Sequence, residues 1–159
     1  MNPAQSRSAA LALALGVPAA LLAGAYTSQW GFGLVPCEMC WWQRYPHFAA
    51  VAIAAMALLL RRQPAGGLLV RLAALAILIS GLIGAYHAGV EYHWWEGFTT
   101  CTTTQLGGNA LDAILNAPLI RCDQAQWTLF GISLAGYNFL ISTAAAVAIF
   151  ALLRKGARA

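Results

Sequence analysis

The sequence predicts an all-α integral membrane protein, a four-helix bundle with a long outer loop between its third and fourth helices. Three observations carry this. Only 9% of the 159 residues are charged while 60% are hydrophobic, and the mean hydropathy is +0.66. A soluble domain carries about 25% charged residues, so this chain lacks the polar groups to clothe a globular surface. Four stretches reach the length of about 20 apolar residues that a spanning helix needs. None of the four alternates as a barrel strand does, and backbone groups in lipid must be paired within the segment. The length fits a single membrane domain over residues 1–159. The net charge of +4 is spread along the chain, a pattern that excludes nucleic-acid binding, repeat arrays and disordered tails.

The first span is expected from about Ala9 to Tyr26, the second from Trp41 to Leu60, the third from Leu68 to Tyr92 and the fourth from Leu129 to Leu153. The polar turn Arg61–Gly67, with Pro64, Gly66 and Gly67, makes the second and third spans an antiparallel hairpin. Arg7, an apolar run and Ala23-Gly24-Ala25 also have the layout of a cleavable signal peptide, although the run is long for a signal core. Cleavage would leave the other spans facing the same way.

Orientation follows from the basic residues near span ends. Arg7, Arg61, Arg62, Arg71, Arg154, Lys155 and Arg158 gather on one side, and Arg44 and Arg121 on the other. Both termini and the middle turn are therefore expected in the cytoplasm. Trp30, Trp41, Trp42, Trp94, Trp95 and Trp127 all fall near the outer ends of spans, as an interfacial aromatic belt would. The outer segments are residues 27–40 and 93–128. In the second of these, Leu111, Ile114 and Leu115 have the spacing of a short surface helix, or of a loop with chance periodicity.

All four cysteines, Cys37, Cys40, Cys101 and Cys122, lie on the outer side. An oxidising compartment lets disulfides form there, and the even count suggests two, with connectivity left open. Cys37-Glu38-Met39-Cys40 closes only a small ring, and strained or exposed bridges are the labile, catalytic ones. Pro36 suits a helix start. Both sulfurs would then sit in the first turn, where free amides and the dipole favour a thiolate. Arg44 is one turn beyond Cys40 on the same face. Inside the outer boundary it reads as a functional residue rather than as an arginine snorkelling to headgroups. Pro46 predicts a kink, or a later helix start near Tyr45. His87 and Glu91 are four apart on the third span and could serve a proton relay or ligand site, or simply pack within the bundle. His93 is a weaker candidate at the membrane edge, and His47 is expected only to pack.

At these residues the chain resembles the disulfide-bond formation protein B (DsbB) family. The resemblance is carried by Pro36-Cys37-Glu38-Met39-Cys40-Trp41-Trp42-Gln43-Arg44, by Tyr86-His87-Ala88-Gly89-Val90-Glu91, and by Trp127-Thr128-Leu129-Phe130-Gly131-Ile132-Ser133, in that order. It implies an enzyme of the bacterial inner membrane that reoxidises a periplasmic thioredoxin-like partner of the DsbA type and passes the electrons to quinone, ubiquinone or menaquinone. It also implies catalytic roles: Cys101 attacked by the partner, Cys122 attacking Cys37, and Cys40 facing the quinone. Arg44 would hold the quinone, His87 would bond a quinone oxygen, and Glu91 would stand behind them. No metal is expected. The alternatives are a quinone-linked oxidoreductase of the vitamin K epoxide reductase type, in which the active C-x-x-C comes late in the bundle, and a non-enzymatic membrane protein with two structural disulfides. A four-thiolate zinc site is disfavoured by the separation of Cys101 and Cys122. A c-type haem is disfavoured by Trp41 after the C-x-x-C.

Overall fold

The structure, a computed structural model, describes residues 2–99 and 120–158. Four long helices dominate: α1 (Pro3–Gly31), α2 (Glu38–Leu59), α3 (Ala65–Glu91) and α4 (Leu134–Arg158). α1 packs on α2 and α4, and α3 packs on α2 and α4, so the contacts close into a ring. Its interior is built of small residues, among them Ala10, Ala14, Ala50, Ala54, Ala73 and Ala74, around Ile77 and Ile149. Small side chains let helix axes approach closely, and close approach is the main source of helix association in lipid.

α1 opens with a capping box: Asn2 Oδ1 accepts from the Gln5 amide at 2.8 Å, and Gln5 Oε1 accepts from the Asn2 amide at 3.0 Å. The helix runs 29 residues, about 44 Å at the standard rise, and so exceeds the expected Ala9–Tyr26 at both ends. The starts and ends of the chain are neighbours, because Gly156 lies against Pro3 and Arg7.

Among the described residues, three helices, α1, α3 and α4, are long and apolar enough to cross a membrane. α2 is the exception to the four spans expected. Its 22 residues suffice in length, but Gln43, Arg44, Pro46 and His47 lower its hydropathy. Three of these, Gln43, Arg44 and His47, are buried against neighbouring helices, so they need not meet lipid. Nor does Pro46 end or delay the helix: α2 runs without interruption from Glu38. Pro46 supplies no N–H to the helix ladder, and close to it the Ser80 hydroxyl of α3 donates to the Gln43 carbonyl at 2.8 Å. Hydroxyls of neighbouring helices commonly support the backbone beside such breaks.

The fourth helix starts later than the expected Leu129. Two short strands, β1 (Thr128–Leu129) and β2 (Ile132–Ser133), pair antiparallel just before it. Phe130 and Gly131 make the turn with φ of 50° and 77°, the left-handed pair that a two-residue hairpin requires. The Tyr92 hydroxyl ties this hairpin to the end of α3, donating to the Gly131 carbonyl at 2.8 Å and accepting from the Ser133 amide at 2.9 Å. The possible surface helix at Leu111, Ile114 and Leu115 lies outside the described residues, as does Cys101.

Candidate active site

Cys37 is the N-cap of α2. Its backbone is extended (φ −76°, ψ 176°) and its Sγ accepts from the Cys40 amide at 3.3 Å. A cap residue normally offers an oxygen in this position, and here sulfur takes its place. Cys40 therefore sits one turn in, among amides with no helical partner. Both residues are free thiols, with Sγ atoms 3.0 Å apart and the Cys37 S–H directed at Cys40. That hydrogen bond, then burial, then negative charge on Cys40 push the Cys37 thiol up, so the negative charge of the pair belongs on Cys40.

His87, from α3, is 2% exposed and joins three elements. Its Nδ1 lies 2.8 Å from Gln43 Nε2. Its Nε2 lies 3.2 Å from the Cys122 carbonyl, 3.6 Å from Cys37 Sγ and 3.7 Å from Glu91 Oε1. Cys122 is disulfide-bonded and fully buried, and it packs with Cys37, Met39 and Val90 in one cluster. One imidazole thus lies against both the Cys122 backbone carbonyl and the first sulfur of the C-x-x-C. Beside Cys122, the Arg121 guanidinium hydrogen-bonds both Asp123 carboxylate oxygens and holds that carboxyl below the usual range.

Arg44 is 6% exposed and turned toward α1. Its guanidinium donates to Gln29 Oε1 at 2.7 Å and to the Ala25 carbonyl at 3.2 Å. It also lies 4.9 Å from the ring centroids of both Tyr26 and Trp41. Two aromatic faces and two acceptors fix the cation in place.

Cys37, Cys40, Arg44 and His87 all border one cavity of about 250 Å³. The rest of its wall includes apolar Ala20, Leu21, Leu22 and Leu134. Glu91 also borders it, with Oε2 buried and unpartnered. His93 is exposed and stands apart. Among the described residues, Cys37 Sγ, Cys40 Sγ and a His87 ring nitrogen lie within 4.8 Å of one another, close enough to share a metal ion.

Residues 6–152 match the family described as Disulfide bond formation protein DsbB. The chain belongs to the DsbB family. It is 32% identical over 150 residues to the Disulfide bond formation protein B of Verminephrobacter eiseniae, covering 87% of this chain and 81% of that one. With the protein of the same name from Polaromonas sp. it shares 31% over 152 residues, covering 87% and 86%. It is 25% identical over 127 residues to an uncharacterised protein of Rickettsia prowazekii, covering 76% and 73%. No solved structure matches it. DsbB membership and three apolar helices make this a multi-pass membrane protein of disulfide bond formation, an oxidoreductase.

Sequence reasoning gave no role to Gln43 or Asn138 and expected His47 only to pack. In the structure Asn138 Nδ2 donates to Gln43 Oε1 at 2.8 Å, and Asn138 Oδ1 faces His47 Nε2 at 2.9 Å. A signal for part of this was present: Gln43, Arg44 and His47 follow Cys40 at i+3, i+4 and i+7, one face of a helix.

Proposed function

We propose that this DsbB-family chain reoxidises a soluble, periplasmic thioredoxin-like dithiol protein of the DsbA type and delivers the electrons to membrane quinone. The four helices would form a bundle in the bacterial inner membrane, with both termini cytoplasmic and the cysteines periplasmic. The cluster of seven basic residues at the opposite end from the cysteines supports that orientation.

The observation that carries the reading is the placing of Cys37 between two routes. It packs with Cys122, and together with its partner Cys40 it borders an apolar cavity. In the proposed relay Cys122 is paired with Cys101. A thiolate of the partner attacks Cys101 Sγ, breaks that disulfide and releases Cys122 as a thiolate. Cys122 then attacks Cys37 Sγ of an oxidised Cys37–Cys40 pair, and Cys40 leaves as the thiolate. The partner's second thiol frees Cys101 and departs oxidised. Cys101 resolves the Cys122–Cys37 bond, leaving Cys37 and Cys40 reduced. Each step exchanges one S–S bond for another, so electrons balance until the dithiol is reoxidised.

A quinone fits the residues present: the cavity is greasy and has a fixed cation in Arg44. Bound there, it would supply the two-electron sink of the reaction. Arg44 would hold its head group and offset negative charge, while the helix N-terminus keeps Cys40 ionised. His87 was expected to bond a quinone oxygen, but both its nitrogens face protein groups. We assign it instead to aligning Cys122 with Cys37.

The test is anaerobic quinone reduction by purified protein given a reduced thioredoxin-like substrate. Cys40→Ser should abolish quinone reduction while the variant still forms a mixed disulfide with the partner. Quinone reduction that persists in Cys40→Ser would overturn the assignment.

A further inference from the structure

The cavity has a second polar end that the sulfur chemistry does not use. His47 is 3% exposed and borders the cavity, and its Nδ1 is buried with no hydrogen-bond partner. Leaving such an atom unpaired is costly, and sites that retain one commonly keep it for a ligand.

Two backbone carbonyls decide where the hydrogen on this ring sits. Asn138 Nδ2 donates to the Ser80 carbonyl at 3.1 Å, an atom that can only accept, and this fixes the amide's orientation. Asn138 Oδ1 therefore faces His47 Nε2, and since that oxygen can only accept, Nε2 bears the hydrogen. The Ser142 hydroxyl donates to the same oxygen at 2.8 Å. Gln43 is fixed in the same way: its Nε2 donates to the Met39 carbonyl at 3.2 Å, and Oε1 takes the second Asn138 hydrogen. Gln43 Nε2 then donates to His87 Nδ1, which leaves the His87 hydrogen on Nε2, toward Cys122. Donation runs one way from His47 to His87. In neutral His47 the free lone pair is on Nδ1.

A lone pair repels a carbonyl oxygen and welcomes a hydroxyl. We propose that His47 Nδ1 accepts a hydrogen bond from the hydroxyl of a hydroquinone, so that this end of the cavity recognises the reduced product. Gln43 and Asn138 act as positioning residues that keep Nδ1 bare. The inference rests on the quinone reading above and deepens it. The Cys37–Cys40 dithiol loses two electrons and two protons on closing to a disulfide, and the quinone gains the same. Tighter binding of the reduced form makes the bound couple the stronger oxidant. A tenfold preference corresponds to about 30 mV for two electrons.

The experiment uses full-length oxidised protein in detergent, under anaerobic conditions, so that no electrons flow. Calorimetric titration with a short-chain ubiquinol and with the matching ubiquinone should show the ubiquinol bound about tenfold more tightly, one hydrogen bond's worth. His47→Gln keeps a donor for Asn138 but lacks Nδ1, so it should lose that preference and bind the two forms about equally. His47→Asn, whose amide oxygen takes the place of Nδ1, should recover part of it. Nitrogen-15 NMR of the wild-type imidazoles should find His47 protonated at Nε2, with the bare Nδ1 resonance moving on addition of ubiquinol. Wild-type protein that binds neither form would overturn the quinone reading itself. Binding of both forms with an unmoved Nδ1 resonance, or with an undiminished ubiquinol preference in His47→Gln, would overturn this inference alone.

Discussion

Cys37 and Cys40 are the same amino acid three positions apart, yet the helix start divides their roles. Both border the cavity, but Cys37, as the cap, is buried and gives its hydrogen to Cys40, which is partly exposed. The raised value of Cys37 sets the sign of a pH prediction. A thiol held above its usual range stays protonated, and hence unreactive, as pH rises through the neutral and mildly alkaline range. Only the thiolate is alkylated, so iodoacetamide between about pH 7 and 8.5 should modify Cys40 and leave Cys37 unmodified in the reduced protein. Peptide mass spectrometry of the alkylated chain checks this. Arg44 makes the second prediction. Because Tyr26 and Trp41 hold it as a plane, with Gln29 and the Ala25 carbonyl at its edge, lysine cannot replace it. Arg44→Ala and Arg44→Lys should both raise the apparent quinone KM, by about tenfold for a charge-assisted contact, with partner exchange unchanged. Steady-state kinetics with varied quinone would expose a wrong assignment as an unmoved KM.

α3 and α4 touch through glycine. A methyl group on Gly84 would meet the Ala135 carbonyl oxygen at 2.9 Å and the Phe139 amide at 3.1 Å, both backbone atoms that cannot turn aside. Gly84→Ala should therefore push the helices apart and cost about 1–3 kcal/mol. It would also disturb Asn138, whose Nδ2 lies 3.0 Å from the same position. Gly16→Ala is the control: nothing lies within 4 Å of that site in α1, so the change should be neutral or gain up to about 1 kcal/mol. Thermal unfolding of both variants in one detergent separates steric contact from helix propensity.

Taken together, the four helices bring the reactive groups to one end of the molecule. The C-terminal ends of α1 and α3, the N-terminal ends of α2 and α4 and the segment around Cys122 meet there, and Gln126 of that segment bonds the Val35 carbonyl at 2.7 Å. The proposed orientation puts this end in the periplasm. A membrane-impermeant maleimide added to intact spheroplasts after reduction should label Cys40, and labelling that requires lysis would reverse the topology.

Much of this was legible in the chain itself. Composition and apolar length dictate helices in lipid, because no other open structure pairs its backbone there, and the C-x-x-C beside Arg44 marks the reactive end. The placement of helix ends was not legible in full. The start of α4 depends on a hairpin held by Tyr92, and the continuity of α2 through Pro46 depends on neighbouring helices. The internal polar chain was hidden for the same reason. Gln43, Ser80, His87 and Asn138 come from three helices, and nothing local links residues 95 positions apart. Hydropathy registers only that such residues are polar. Packing decides that they face one another, which of their atoms donate, and which nitrogen is left bare.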